Sequence, residues 1–386
     1  MIRVLQVLPS YAVEWGGPPK IAYQISEALK EHFQIDILTS HTDGEPLVKV
    51  PDGVNLVSFE RSWLHKFWRS HSPGMKTFLK EHAADYDIIH IHEVWLYHFY
   101  IASKLSIANQ VPFIVTTHGE LDAWALQYKG FKKKLFTSLF QRKLLKQAAA
   151  IHVGTQKETK EVKDYTGLGD QFIFEIPNAL LDTEHKLESD SKLISLPEEP
   201  YILFLSRLNI KKGCDILLKA YAKWTHKSKY RLVFAGPPEP LAYGEELKNL
   251  AKELGIDERV DFVGSVHGRS KQLLLGNASL FALTSYAEGF PVAILEALQA
   301  GCPLLLSNKC GFDGFLKEQG VAIVCNPREE DVLNGLDEFA TLTPGSIEVI
   351  KQKGRQVLRD YYSSQKVASQ YIDMYNKVKA AGLSKM

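Results

Sequence analysis

Apolar residues in this chain gather in short blocks rather than in strict alternation. In the first half the blocks read IRVLQVL, QIDILTS, DIIHIHE, FIVTTHG and AIHVGT; in the second they read YILFLS, YRLVFAG, VDFVG, LFALTS, CPLLLS and VAIVC. Apolar runs of this kind suit strands covered on both faces, as in parallel sheets sandwiched between helices. The stretches between them carry apolar residues every three or four positions, as in KIAYQISEALKE and CDILLKAYAKW, which is the period of an amphipathic helix. Strand and helix therefore alternate along the chain, and the pattern predicts an α/β protein of the doubly wound kind.

The two halves also open alike. VLQVLPSYAVEWGGPPKIAYQISEALKE and ILFLSRLNIKKGCDILLKAYAKW each run from a buried strand through a glycine-bearing loop into a helix. Between them, 181–200 (LDTEHKLESDSKLISLPEEP) is charged, rich in Ser and Pro and weakly periodic, so a linker is expected there. The reading places one domain over 1–180 and a second over 181–362. Two doubly wound sheets facing each other make a cleft, and ligands of such sheets bind beyond the carboxyl ends of the strands. Candidate chemistry is therefore sought at the strand-to-helix corners.

Composition narrows the classes. A chain of 386 residues with 45% apolar residues, 24% charged residues and a formal charge of +1 has the balance of an ordinary soluble protein, with no global electrostatic case for nucleic acid. Cys214, Cys302, Cys310 and Cys325 form no CxxC pair, which argues against a zinc knuckle or redox motif and for reduced thiols in the core. MIRVLQVLPS lacks the charged start and long apolar run of a signal peptide, and no uncharged apolar run is long enough to span a bilayer. A cytoplasmic location is expected.

In the second half, Arg207 follows a strand and Lys212 precedes Gly213 in SRLNIKKGCDILLKAYA. A guanidinium and an ammonium at one corner suit two oxygens of a diphosphate, against the plainer reading of two solvated surface cations. The stretch EGFPVAILEALQAG starts at Glu288, turns through Gly289 and Phe290, and enters a helix with Pro291 placed as a first-turn proline. The free amides of Gly289, Phe290 and Val292 suit an anion or a hydroxyl-rich ring. Glu296, one further turn along, is expected to reach the same pocket, since two converging carboxylates without other metal ligands suit hydroxyl donors. The plainer alternative makes Glu288 a helix-capping acid and Glu296 a surface residue.

In the first half, Gly16 and Gly17 precede a helix whose free N–H groups favour an anion, although taken alone the glycines suit a plain tight turn better. The GxGxxG fingerprint of nicotinamide-type sites is not met. His118 and Gly119 end a strand in FIVTTHGELDAWAL, where a histidine facing the cleft suits a role in the pocket better than a structural one; Glu120 and Asp122 are weaker candidates. His90 and His92 share one face of IIHIHE, with His92 expected to line the cleft. Asp85-Tyr86-Asp87 has the DxD pattern of a metal-binding site but precedes its strand, at the end away from the cleft, so no metal is expected there. Residues 128–147 (YKGFKKKLFTSLFQRKLLKQ) carry seven basic residues and no acidic one, with apolar residues at helical spacing; an anionic membrane surface and a core-packed helix with a solvated face fit equally well. Residues 61–80, with Trp63, Phe67, Trp68 and Met75 among basic residues, lack a clean period and are expected to form a loop or short-helix insertion over the cleft.

GGPPKIAYQISEALKE, HGELDAWAL, IPNAL, SRLNIKKG and EGFPVAILEALQAG, in this order over 1–326, resemble the retaining glycosyltransferase family 4. The resemblance implies the GT-B architecture, two Rossmann-like domains facing a central cleft, and Glu288 with Glu296 match the family's E-x7-E motif. It further implies a nucleotide-diphosphate sugar as donor, held mainly by the second domain, and no metal or other cofactor. Arg207 and Lys212 would meet the diphosphate, Glu288 the sugar and Glu296 the ribose. The backbone near Val263 and Gly264 would hold the base, Gly16 and Gly17 would close over the phosphates, and His118 would sit near the reacting carbon. The last helix, within 363–386, would return to the first domain. GPPEP after YRLVFAG and IPNAL in place of Ile-Pro-Asn-Gly depart from the family pattern. The expected reaction is retaining front-face transfer to a glycan or lipid-linked acceptor, with nucleic acid excluded as a partner. A 2-epimerase or phosphorylase of the same architecture and a non-catalytic nucleotide-sugar sensor are the alternatives.

Overall fold

A computed structural model describes residues 1–12, 15–122, 140–179 and 193–383. Two compact units emerge, Met1–Ala179 with Ser364–Met386, and Leu180–Ser363. The predicted linker lies largely outside the described residues.

In the first unit the described strands form one parallel sheet of seven, in the order β3-β2-β1-β4-β5-β6-β7. They are β1 (Ile2–Val7), β2 (Phe33–His41), β3 (Asn55–Glu60), β4 (Ile88–His92), β5 (Phe113–Thr116), β6 (Ala150–Val153) and β7 (Ile173–Glu175). Every strand expected from an apolar block is present. β3 and β7 were not expected, and both are the edges of the sheet, where partly exposed side chains leave no continuous apolar run. The closing helix, Ser364–Leu383, packs on this unit. Its Tyr375 hydroxyl bonds His90 Nδ1 at 2.8 Å, Tyr371 bonds His152 Nε2 at 3.2 Å, and Lys379 pairs with Asp87. Asp87 also accepts the Arg3 backbone N–H at 2.8 Å, so this half of the DxD ties the sheet to the closing helix.

The second unit holds a parallel sheet of six described strands, in the order β10-β9-β8-β11-β12-β13: β8 (Tyr201–Leu205), β9 (Arg231–Ala235), β10 (Val260–Gly264), β11 (Leu280–Leu283), β12 (Leu304–Ser307) and β13 (Ala322–Cys325). β8 and β11 are buried at every position, which is why they read as unbroken apolar blocks. In each sheet the strand order reverses at the first strand of the unit, between β1 and β4 and between β8 and β11. Crevices at the carboxyl ends of such strands are where doubly wound sheets bind ligands. No described helix is long and apolar enough to cross a membrane.

Candidate functional site

The corner between β11 and the Val292–Ala300 helix is built around Glu288. Its backbone N–H donates to Lys309 O at 2.9 Å, and its side chain is buried. The two carboxylate oxygens accept Lys212 Nζ at 2.6 and 2.7 Å, and Oε1 also accepts the Ser285 hydroxyl at 2.6 Å. Lys212 ends the short turn Ile210–Lys212 after β8 and is followed by Gly213 in the left-handed region at φ 65°. A Cβ on Gly213 would lie 2.3 Å from the Thr284 carbonyl oxygen, so only glycine fits. Thr284 Oγ1 donates to Gly213 O and Tyr286 N–H to Lys211 O, each at 2.8 Å, stitching the two corners together.

Glu296 lies on the same helix, yet it bonds a different cation: Lys271 Nζ, 2.7 Å away, from the Gly268–Asn277 helix. The two glutamates, expected from the sequence to converge, thus each carry a lysine partner of their own. Lys271 sits in GRSKQLLLGN, which bears no motif that would have singled it out. Pro291 also differs from expectation. It occupies the position ahead of the helix with extended geometry, φ −75° and ψ 100°, and Val292 is the first helical residue. The Phe290 ring stacks on Phe312 with centroids 4.5 Å apart, so its side chain is used in packing and its backbone is what a ligand would meet. Gly289 forms the bend between Glu288 and Phe290.

Arg207 is exposed and pairs with Glu239 Oε2 at 2.6 Å. Glu239 belongs to GPPEP, the loop after β9 that departs from the family pattern. The loop lies against the Arg207 segment: Leu208 N–H donates to Pro237 O and Glu239 N–H to Leu208 O, each at 2.8 Å. Gly236 adopts φ 144°, and a Cβ there would come within 1.9 Å of Ser206 O. Gly264 ends β10 at φ 74° with its carbonyl accepting Gly236 N–H at 2.7 Å, beside half-buried Val263. Arg207, Lys212, Glu288 and Gly264 all therefore sit at carboxyl ends of strands of one sheet.

In the first unit, Gly16 has φ 89° and Gly17 opens the Gly17–Leu29 helix; a Cβ added at either would meet nothing within 4 Å. These positions stand in open space at a helix start, where backbone N–H groups are unpaired by the helix. Trp15 Nε1 donates to Glu93 Oε1 at 3.0 Å, and the Arg69 guanidinium lies over the Trp15 ring at 4.7 Å. Glu93, directly after β4, is buried at φ 69°, and burial followed by the charge of Glu120 raises its carboxyl well above the usual range. The sequence reading passed over it; an acid closing IIHIHE at a strand end was the available signal.

His118 is half-buried in the left-handed region at φ 49°, and Gly119 follows at 71°. Non-glycine residues are rare there and mark a turn held by its surroundings. The holder is Glu158, buried in the Gln156–Thr166 helix, whose carboxylate accepts the Thr117 hydroxyl and the N–H groups of Gly119 and Gly154. Burial, with the His152 ring adding to it, lowers His118 to about 3. His118 Nε2 lies 3.1 Å from His92 Nδ1. His92 does not line a surface as expected: it is fully buried behind His118, stacked on His90 at 4.6 Å.

Of the basic segment 128–147, residues 128–139 lie outside the described residues; in 140–147, Leu144 and Leu145 are buried while Lys143 and Lys146 are exposed. Residues 61–80 hold short helical pieces, as expected, with a turn at Trp63–Lys66 and a helix at Pro73–His82, and they leave Trp63 and Phe67 71% and 78% exposed. Among the described residues no cluster of three or more His, Cys, Asp or Glu is placed to hold a metal.

Residues 186–366 match the family described as Glycosyl transferases group 1, and residues 16–179 match the Glycosyl transferase 4-like domain. The chain is similar to an uncharacterised glycosyltransferase of Methanocaldococcus jannaschii, 26% identical over 94% of this chain and 96% of the relative. Its fold resembles sucrose-phosphate synthase from Thermosynechococcus elongatus, with TM-score 0.79 and 17% identity over 99% of this chain and 100% of that one. It also resembles Anabaena HepE in complex with UDP and glucose, with TM-score 0.72 and 15% identity over 97% of this chain and 100% of that one.

Proposed function

Since the chain belongs to the GT-B glycosyltransferases, we propose that it transfers a sugar, with retention, from a nucleotide-diphosphate sugar to a glycan or lipid-linked acceptor without a metal. The observation that carries this reading is the Lys212–Glu288 pair at the β8/β11 switch point. A largely buried ammonium paired with a carboxylate of the same site can be handed to a diphosphate oxygen, and the freed carboxylate can then accept sugar hydroxyls. Arg207, exposed in the same loop after β8 and bound to Glu239, supplies the second cation for the diphosphate. Glu296 is assigned to the ribose, the backbone at Val263 and Gly264 to the base, and the amides of Gly289, Phe290 and Val292 to the donor. Gly16 and Gly17 are assigned to the phosphates, and His118 to the sugar. On this reading 181–362 is the donor domain and 1–180 the acceptor side.

In the reaction the sugar–phosphate bond breaks as the acceptor oxygen attacks the same face, and the departing diphosphate takes the acceptor's proton. Negative charge grows on the phosphate, so Arg207 and Lys212 bind the transition state more tightly than the ground state; loss of one such donor costs on the order of 100- to 1,000-fold in rate. The test is a thermal-shift panel of UDP, GDP, ADP and NAD without added metal, on the wild type and Lys212→Ala. One diphosphate stabilising only the wild type names the base. No shift, or a shift with NAD alone, overturns the reading. An epimerase would consume donor without acceptor.

Exposed Trp63 and Phe67, flanked by exposed Lys66 and Arg69, favour an acceptor presented at an anionic membrane, as does the cationic segment 128–147. Aromatic rings with flanking cations partition into the interface of such bilayers. Unchanged binding to phosphatidylserine vesicles after Trp63→Ser with Phe67→Ser, and after charge reversal at Lys132, Lys133 and Lys134, would end this assignment.

A further inference from the structure

Behind His118 runs a chain of hydrogen bonds whose direction is set at its far end. The Ser26 hydroxyl donates to the Ala22 carbonyl at 2.8 Å, in the helix that Gly17 opens. A carbonyl only accepts, so Ser26 Oγ has spent its proton and must accept the next bond, from Gln6 Nε2 at 2.7 Å. Gln6 Nε2 also faces Ala22 O at 3.4 Å. The reversed amide would set oxygen against oxygen there and leave Ser26 Oγ without a donor. Gln6 Oε1 is consequently the acceptor that faces His92 Nε2 at 3.0 Å, and His92 carries its proton on Nε2. The ring is neutral, because complete burial lowers it well below its ordinary range, so His92 Nδ1 has a lone pair. That lone pair faces His118 Nε2 at 3.1 Å.

We infer that His92 and Gln6 are positioning residues that fix His118 as its Nε2–H tautomer, leaving Nδ1 as a bare acceptor for a hydroxyl of the bound substrate. Gln6 is fully buried on β1, His92 is fully buried at the end of β4, and 86 residues separate them, so neither touches substrate; each acts through the ring in front of it. The same chain ties the His118 turn to the middle of the Gly17–Leu29 helix, through Ala22 and Ser26. Fixing a ring by the bond its other nitrogen makes is how proteins choose a histidine's reacting atom. The tautomer itself is independent of the glycosyl-transfer reading; only the identification of what Nδ1 meets rests on it.

The test is a long-range proton–nitrogen spectrum of the full chain labelled with 15N-histidine, with the His118 signals identified by their loss in His118→Asn. The wild type is expected to show Nδ1 bare and Nε2 protonated from pH 7.5 down to pH 6. Gln6→Met, which keeps the length but removes the acceptor, is expected to populate the other tautomer and to lower kcat/KM for donor turnover about tenfold, the worth of one hydrogen bond. A wild-type His118 with its proton on Nδ1, or a Gln6→Met spectrum unchanged from wild type, overturns the inference. The wild-type spectrum decides even where the variants fold poorly. If it is as expected while no nucleoside diphosphate stabilises the protein, the relay stands and the donor assignment falls.

Discussion

Replacing Lys212 by alanine leaves Glu288 inside the corner without the ammonium that meets both its oxygens. The two side chains are 13% and 8% exposed, so this is a buried pair, and removing one partner of such a pair costs about 3 kcal/mol. For a unit of this length about 3 kcal/mol corresponds to a fall in Tm of roughly 6–12 °C. The cost comes from a stranded charge, so neutralising the second partner should recover much of it. Lys212→Ala with Glu288→Gln is expected to lie within about 1 kcal/mol of the wild type, so that in the cycle of wild type, two single variants and the double the second substitution recovers about 2 kcal/mol of the Lys212→Ala loss. Urea unfolding of the four proteins measures this directly. A Lys212→Ala protein within about 0.5 kcal/mol of the wild type, or a double variant no better than the single, would refute the view that the pair holds this corner.

Glu296→Gln keeps the helix but removes a charged acceptor; titration calorimetry is expected to show about tenfold weaker binding of the stabilising nucleoside diphosphate, and unchanged affinity would remove Glu296 from the ribose site. Gly236→Ala drives a Cβ to 1.9 Å from Ser206 O and is expected to destabilise the second unit by about 3 kcal/mol or more in denaturant, against no loss at helical Gly276, where the added group meets nothing. The buried histidines make stability depend on pH. His98 and His152 are lowered by burial from 6.5 to about 4, and His118 to about 3. The unfolded chain takes up these protons first, so stability is full above about pH 6.5 and falls as pH drops from there, by up to about 1.4 kcal/mol per pH unit for each histidine. Urea midpoints at pH 7.5 and 5.5 test this, and equal midpoints would contradict it.

Local pattern carried much of this protein. The interior strands were legible because each is buried on both faces and so must be apolar at successive positions. Gly213 was legible because a left-handed corner between a strand and a helix selects glycine, and Lys212 and Glu288 because they sit at fixed offsets from such corners. What stayed hidden depends on contacts that no local window contains. β3 and β7 are strands only because they pair with the rims of a sheet built elsewhere. Lys271 is a partner of Glu296 only because two helices bring the charges within 2.7 Å. Glu158 looks like one more acid of a charged helix, yet it is buried under the His118 turn, where it accepts two of the turn's hydrogen bonds and a third from Gly154. The histidines show the division most clearly. Their spacing in IIHIHE puts two rings on one face, but whether a ring faces solvent or a glutamine 86 residues away is decided by the pairing of β1 with β4, and with it the atom that His118 has left to offer a substrate.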